Sequence, residues 1–164
     1  MAQAPFPDRG PAEPAPEPWE HGLGRLRHVV AGVDGSTASF GAARRAAELA
    51  VMAGARLTVV HVRPRAPVFS AFAALTEAAV QQWREDVEWE VVVELTTLLD
   101  PLGICWRLQV EEGDPARRLD EVTRALGADL LVVGTSRRRG PRLHRSVAYR
   151  VVRNAHTPVL VVHA

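Results

Sequence analysis

Solidly apolar runs recur along this chain, separated by stretches of helical spacing, and that alternation restricts the fold most. RHVVAGV (27–33), LTVVHV (57–62), ADLLVVGTS (128–136) and VLVVHA (159–164) show little of the apolar–polar alternation of a half-solvated strand. A strand apolar on both sides is buried on both faces, as in a parallel sheet covered by helices. A fifth strand, WRLQVEEG (106–113), is more mixed. Between the strands, residues 37–53 place Phe40, Ala43, Ala46, Ala47, Ala50 and Val51 near helical spacing, with Gly54 as the stop. Residues 70–100 read as a long helix with Trp83, Val87, Val91, Leu95 and Leu98 on one face, ended by Pro101 and Gly103. Asp114-Pro115 starts a helix over 115–126, because aspartate caps free N–H groups and proline fits the first turn. Ser146 is the N-cap candidate for a last helix, 147–155. The order is β-α-β-α-β-α-β-α-β. Right-handed crossovers then give an α/β, doubly wound, five-stranded parallel sheet with helices on both faces.

The 164 residues suit one domain with a tail. Six of the 12 prolines fall in the first 18 residues. Segment 1–24 is Pro/Ala/Glu-rich, too poor in apolar surface to offset its ordering entropy, so it is expected to be a disordered arm, dispensable for folding. Phe6 and Trp19 are its only large anchors. Met1 is followed by neither a basic cluster nor an apolar run, and Asp8, Glu13, Glu17 and Glu20 do not suit an organelle presequence. No run approaches the roughly 18 apolar residues of a membrane span. The expected compartment is the cytoplasm, which suits a lone thiol. That thiol, Cys105, is expected to be a small buried hydrophobe.

All 20 basic residues are arginine, which excludes Schiff-base chemistry and a phosphate-binding P-loop lysine. A net charge of +1 offers no global field for nucleic acid. The six histidines have no metal-ligand spacing, and no GxSxG elbow occurs. Glu111 and Glu112 are adjacent, so in a strand they face opposite ways and make a poor catalytic pair. In doubly wound sheets, ligands lie beyond the carboxyl ends of the strands, where the winding reverses. Asp34-Gly35-Ser36, His61-Val62-Arg63 and Gly134-Thr135-Ser136-Arg137 occupy those ends.

Three pieces in order resemble the universal stress protein family: VVAGVDGS (29–36), VVHV (59–62) and LLVVGTSRRRGPRLHRSVAYRVVRNAHTPVLVV (130–162). The resemblance covers 25–164, taken as the domain, and implies a Rossmann-like sheet of order 3-2-1-4-5. ATP-binding members carry a Gly-x2-Gly-x9-Gly-Ser/Thr loop, whose glycines let the backbone approach phosphates. Here Gly134 keeps the first position and Ser146 matches the Ser/Thr. Arg137 and Arg145 stand where the other glycines belong, with seven residues between them instead of nine. By resemblance, Asp34 and Val62 contact the adenosine part. Each residue also has a structural use: Asp34 in turn and capping chemistry, Val62 in the core, Gly134 in a turn, Ser146 as an N-cap.

Segment 134–164 holds seven arginines and no acid, and segment 76–100 holds seven acids and one arginine. Arginine forks bind phosphate bidentately, so they either replace the lost backbone nest or fill its space and close the site. The expectation is a non-enzymatic stress-response protein, a small regulatory or ligand-sensing module with weak or lost ATP binding. The alternative is an adenine-nucleotide-binding member with slow ATP hydrolysis, its phosphates held by arginine side chains. ATP, ADP and AMP are the candidate cofactors, and the sequence alone fixes none of them. A nucleic-acid role is disfavoured, since only Tyr149 offers stacking near the arginine-rich loop. The resemblance and the apolar last strand together imply a homodimer through that strand.

Overall fold

A computed structural model describes residues 26–63, 77–135 and 146–163. The elements run β1 (His28–Val33), α1 (Thr37–Ala53), β2 (Arg56–Arg63), α2 (Glu77–Leu99), a 3₁₀ turn (Asp100–Leu102), β3 (Trp106–Glu112), α3 (Pro115–Ala125), β4 (Leu130–Thr135), α4 (Val147–Asn154) and β5 (Val159–His163). The five strands form one sheet of order β3-β2-β1-β4-β5. Every pairing is parallel. The doubly wound α/β architecture and strand order expected from the sequence are those observed. Residues 70–76, expected in the long helix, lie outside the described residues, as do the side chains of Trp83 and Val87.

The apolar runs follow from two cores. All six residues of β1 are buried. Val29, Ala31 and Val33 join Leu57, Val59 and Val132 under α1 and α2. Val30 joins Val60, Val62, Leu131 and Val133 under α3 and α4. Successive side chains of a strand point to opposite faces, so a strand between two helix layers has no face left for water. On α2 the buried positions are Val91, Leu95 and Leu99, four residues apart along one stripe.

Helix α1 turns an alanine face inward: Ala42, Ala43, Ala46, Ala47 and Ala50 are fully buried. Small side chains let the helix lie close to the sheet, and Gly134 of β4 completes that contact. A Cβ on Gly134 would stand 2.2 Å from the Ala38 carbonyl oxygen and 2.5 Å from its carbon. Gly134 does not have a positive φ. The turn expected to require this glycine is therefore not its reason; the close approach of helix backbone to strand backbone is.

Two packing expectations are corrected. Val51 is half exposed, because the inward stripe of α1 is set by the alanines and Val51 falls off it in the last turn. Cys105 is exposed as well. It precedes β3, which ends the sheet among the described residues, so its apolar setting in sequence does not become burial.

The amino end of the sheet is tied by polar contacts. Asp129 Oδ2 accepts from the Arg27 and His28 amides at 2.8 and 3.0 Å, fixing β1 against the start of β4. Buried His28 Nε2 lies 2.8 Å from Thr58 Oγ1, which also accepts from Arg107 Nε at 3.0 Å.

Candidate functional site

The winding reverses between β1 and β4, which are neighbours in the sheet while their connections run opposite ways. β1 ends at Val33, and the chain turns through Asp34-Gly35-Ser36 into α1. Gly35 has φ +83°, a left-handed conformation that favours glycine. Asp34 Oδ1 accepts from the Ser36 amide at 3.0 Å and the Ser36 hydroxyl at 2.6 Å. Ser36 caps α1, its Oγ accepting from the Ser39 amide at 3.2 Å. Ser39 closes the motif: its hydroxyl donates to the Ser36 carbonyl at 2.8 Å and accepts from the Asp34 amide at 3.2 Å. The loop is locked from both ends, and it holds the Asp34 carboxylate at an exposed strand tip. Partial desolvation pushes that carboxyl up, and the hydrogen bonds of the turn, those from Ser36 first and then those of Ser39 and the Asp34 backbone, together outweigh it, leaving Asp34 below its ordinary value.

Register brings three of the expected site residues to adjacent tips. Val33 pairs with His61, so Asp34 and Val62 follow on neighbouring strands. Gly32 pairs with Val133, which places Gly134 one step on. Val62 is buried in the α3–α4 core. Ser146 is the N-cap of α4, its Oγ accepting from the Tyr149 amide at 3.2 Å. Arg137 and Arg145 lie outside the described residues. Among the described residues no cluster of His, Cys, Asp or Glu has the arrangement of a metal site.

Sequence reading missed the ionic frame beside these tips. Asp114 caps α3 by accepting from the Arg117 amide at 3.0 Å. Its two oxygens also receive both terminal nitrogens of Arg150 at 2.7 Å, joining the first turns of α3 and α4. Glu111 pairs with Arg118, which also reaches Glu121 at 2.6 Å. Glu112 is exposed, so the adjacent glutamates do point apart. Arg63, at the end of β2, pairs with Glu88 of α2 at 2.7 Å. Of the seven arginines in 134–164, Arg150 is thus committed to Asp114, and Arg153 stands 5.8 Å from the centroid of the Tyr149 ring. The missed Ser39 did leave a signal: a second serine three residues beyond the Asp-Gly-Ser turn.

These groups make stability fall in two stages on acidification. Burial, and then the Arg56 charge, hold the His28 ring below its ordinary 6.5. As pH drops past that value, the unfolded chain takes up a proton that the folded chain refuses, and stability declines. Asp129 is held down chiefly by the Arg27 amide, Asp114 chiefly by Arg150, and Asp34 as above. Their contribution is complete above about pH 5 and is lost as pH falls through and below about 4. Urea midpoints measured from pH 8 to 3 are expected to show both stages, the first of them absent in His28→Gln. A flat profile between pH 7 and 5 contradicts the buried neutral His28.

A parallel 3-2-1-4-5 sheet with a locked Asp-Gly-Ser turn at its winding reversal defines a single Rossmann-like α/β domain of the kind that takes ligands at strand tips. The model of the universal stress protein family matches residues 25–163, and the chain belongs to that family. It is 29% identical over 144 residues to a universal stress protein of Methanocaldococcus jannaschii, covering 87% of this chain and 85% of that one. A crystal structure of a family protein from Burkholderia pseudomallei is 30% identical, with TM-score 0.67, over 85% of this chain and 97% of the other. A universal stress protein crystallised with cAMP is 26% identical, with TM-score 0.65, over 84% and 97%. Among the described residues, no helix is long and apolar enough to cross a membrane.

Proposed function

We propose that this chain is a non-enzymatic, cytoplasmic stress-response module that senses an adenine nucleotide by its adenosine end and holds a triphosphate weakly or not at all. The observation that carries the reading is the locked Asp34 turn: an exposed carboxylate, oriented by Ser36 and Ser39, stands at the strand tip next to Val62 and Gly134. A fixed carboxylate is suited to accept hydrogen bonds from a ribose diol. The phosphate end departs from the family loop at Arg137 and Arg145. Backbone that must carry a Cβ cannot approach phosphate as glycine does, and a positive φ there costs on the order of 1 kcal/mol per residue. A relative seen with cAMP fits this reading, since one phosphate asks less of a phosphate cradle than three. Calorimetry with ATP, ADP, AMP and cAMP tests it. AMP, ADP and cAMP are expected to bind at least as well as ATP, and all binding is expected to weaken with salt. An ATP dissociation constant in the micromolar range or tighter at physiological salt overturns the reading.

The same proposal includes a homodimer through β5. That strand ends the sheet order, and its Leu160 is exposed at the edge. An unpaired apolar edge is an aggregation hazard that pairing with a second copy removes. Light scattering at micromolar concentration is expected to give twice the chain mass of 17.9 kDa, and a monomer contradicts it.

A further inference from the structure

The amino end of the sheet, opposite the Asp34 tip, gathers positive charge that no carboxylate answers among the described residues. Val30, Val60 and Val62 face the α3–α4 core. Side chains alternate along a strand, so His28, Arg56 and Thr58, earlier on the same two strands, turn to that face as well. His28 pairs with Arg56, and Thr58 pairs with Arg107. The two arginines therefore stand on neighbouring strands, two residues apart in register and on one face. Both are exposed. Among the described residues neither makes an ion pair. The carboxylates of this region are committed elsewhere. Asp129 Oδ2 holds the Arg27 and His28 amides. Asp100 accepts from Trp106 Nε1 at 3.0 Å, and Trp106 packs on the opposite, α1–α2 face. Glu111, further along the face of Arg107, pairs with Arg118 and accepts from Gln109 Nε2 at 2.8 Å.

Arg107 is also held in place. Its Nε donates to Thr58 Oγ1 at 3.0 Å, and that oxygen lies 2.8 Å from His28 Nε2. Thr58 is 1% exposed and His28 4%, so the anchor of this guanidinium belongs to the core. With Nε spent inward, the two terminal nitrogens remain, and such a pair takes phosphate oxygens two at a time. Arg56 adds a second fork beside it. One fork suffices for a carboxylate, whereas two unanswered positive charges on one face match a dianion.

We infer that Arg56 and Arg107 bind a phosphate dianion, free or as a monoester, at the amino end of the sheet, with Thr58 and His28 positioning Arg107. This site is separate from the strand tips and does not rest on the adenosine reading. The test is a titration of the full chain at mildly alkaline pH, where phosphate carries two charges, followed on the His28 ring signal by NMR. That signal is assigned by its loss in His28→Gln. Inorganic phosphate and O-phosphoserine are each expected to shift it saturably, and chloride and acetate at equal ionic strength are not. Arg56→Gln and Arg107→Gln are each expected to weaken phosphate binding roughly tenfold. Both side chains are exposed, so neither variant opens the core, and melting curves check the fold. The titration midpoint of His28 gives a second readout. Burial and then Arg56 hold that ring down, the Leu126 backbone opposes them, Arg107 adds to the lowering, and Asp129 opposes it. A dianion on the two arginines offsets their charge, so the midpoint is expected to rise in saturating phosphate. A shift that chloride or acetate reproduces, or that does not saturate, overturns the inference. So does a phosphate affinity unchanged in either variant, or a His28 midpoint that stays in place. Inorganic phosphate binding at least as well as O-phosphoserine makes the free ion the ligand, and tighter binding of O-phosphoserine makes it the monoester.

Discussion

Gly134→Ala is expected to destabilise the chain by about 3 kcal/mol, at the upper end of overpacking costs. A domain of this size loses roughly 2–4 °C of melting temperature per kcal/mol, so the midpoint is expected to fall by about 10 °C. The size of the effect follows from what the added methyl meets. The atoms at 2.2, 2.5 and 2.8 Å are the Ala38 carbonyl oxygen and carbon and the Ser39 nitrogen, all main chain in the first turn of α1. They cannot rotate away. Relief requires α1 to lift from β4, which disturbs the alanine face beneath it and the Ser36–Ser39 lock at its start. Gly32→Ala is the control. Its Cβ meets Leu119 Cδ1 at 2.9 Å and Cδ2 at 3.0 Å, the end of a side chain that has other rotamers. About 1 kcal/mol is expected there. Thermal melts of the two variants side by side decide the matter. Equal midpoints contradict the assigned contact between α1 and β4.

The Gly134 contrast shows where sequence reading reaches its limit. Periodicity located nearly every described strand and helix, because two-sided burial leaves a contiguous apolar run that survives without coordinates. Capping was legible for the same local reason at Asp114 and Ser146, which cap the helices that follow them, whereas the capping read into Asp34 falls to Ser36. Gly134 looked like turn chemistry, since a glycine announces freedom of backbone but not which backbone comes near it. Cys105 and Val51 were misplaced because apolar neighbours in sequence do not say which strand ends the sheet or which helical stripe faces in. The Arg150–Asp114 fork joins residues 36 positions apart and left no local pattern at all. Asp34, Val62 and Gly134 were legible as a set, because a doubly wound sheet brings its strand tips to one edge whatever lies between them in the chain.

Asp34→Ala is expected to remove measurable adenine-nucleotide binding while leaving the domain folded. Among the described residues at the tips of β1, β2 and β4, this carboxylate is the one group that carries a full negative charge and is held by its own loop, with Oδ1 taken by Ser36 and the side chain at the solvent edge. Removing it deletes two hydrogen bonds at an exposed turn, a stability cost of about 1 kcal/mol. Ser36 keeps its cap on Ser39, and Ser39 keeps its bond to the Ser36 carbonyl, so α1 still starts in place. Binding is affected more than folding because a weak ligand has few contacts to lose. Loss of one charge-assisted pair of about 1.5–3 kcal/mol corresponds to roughly tenfold to hundredfold, beyond calorimetric detection for an affinity already near millimolar. Asp34→Asn separates charge from shape. Its carbonyl oxygen still accepts from the Ser36 amide, so the turn persists and affinity is expected to fall between wild type and Asp34→Ala. Titration of all three proteins with AMP, alongside melting curves, gives both readouts. If Asp34→Ala lowers the melting temperature and leaves the AMP isotherm intact, Asp34 is turn chemistry alone and the ligand, if adenine-based, is held by groups other than this carboxylate.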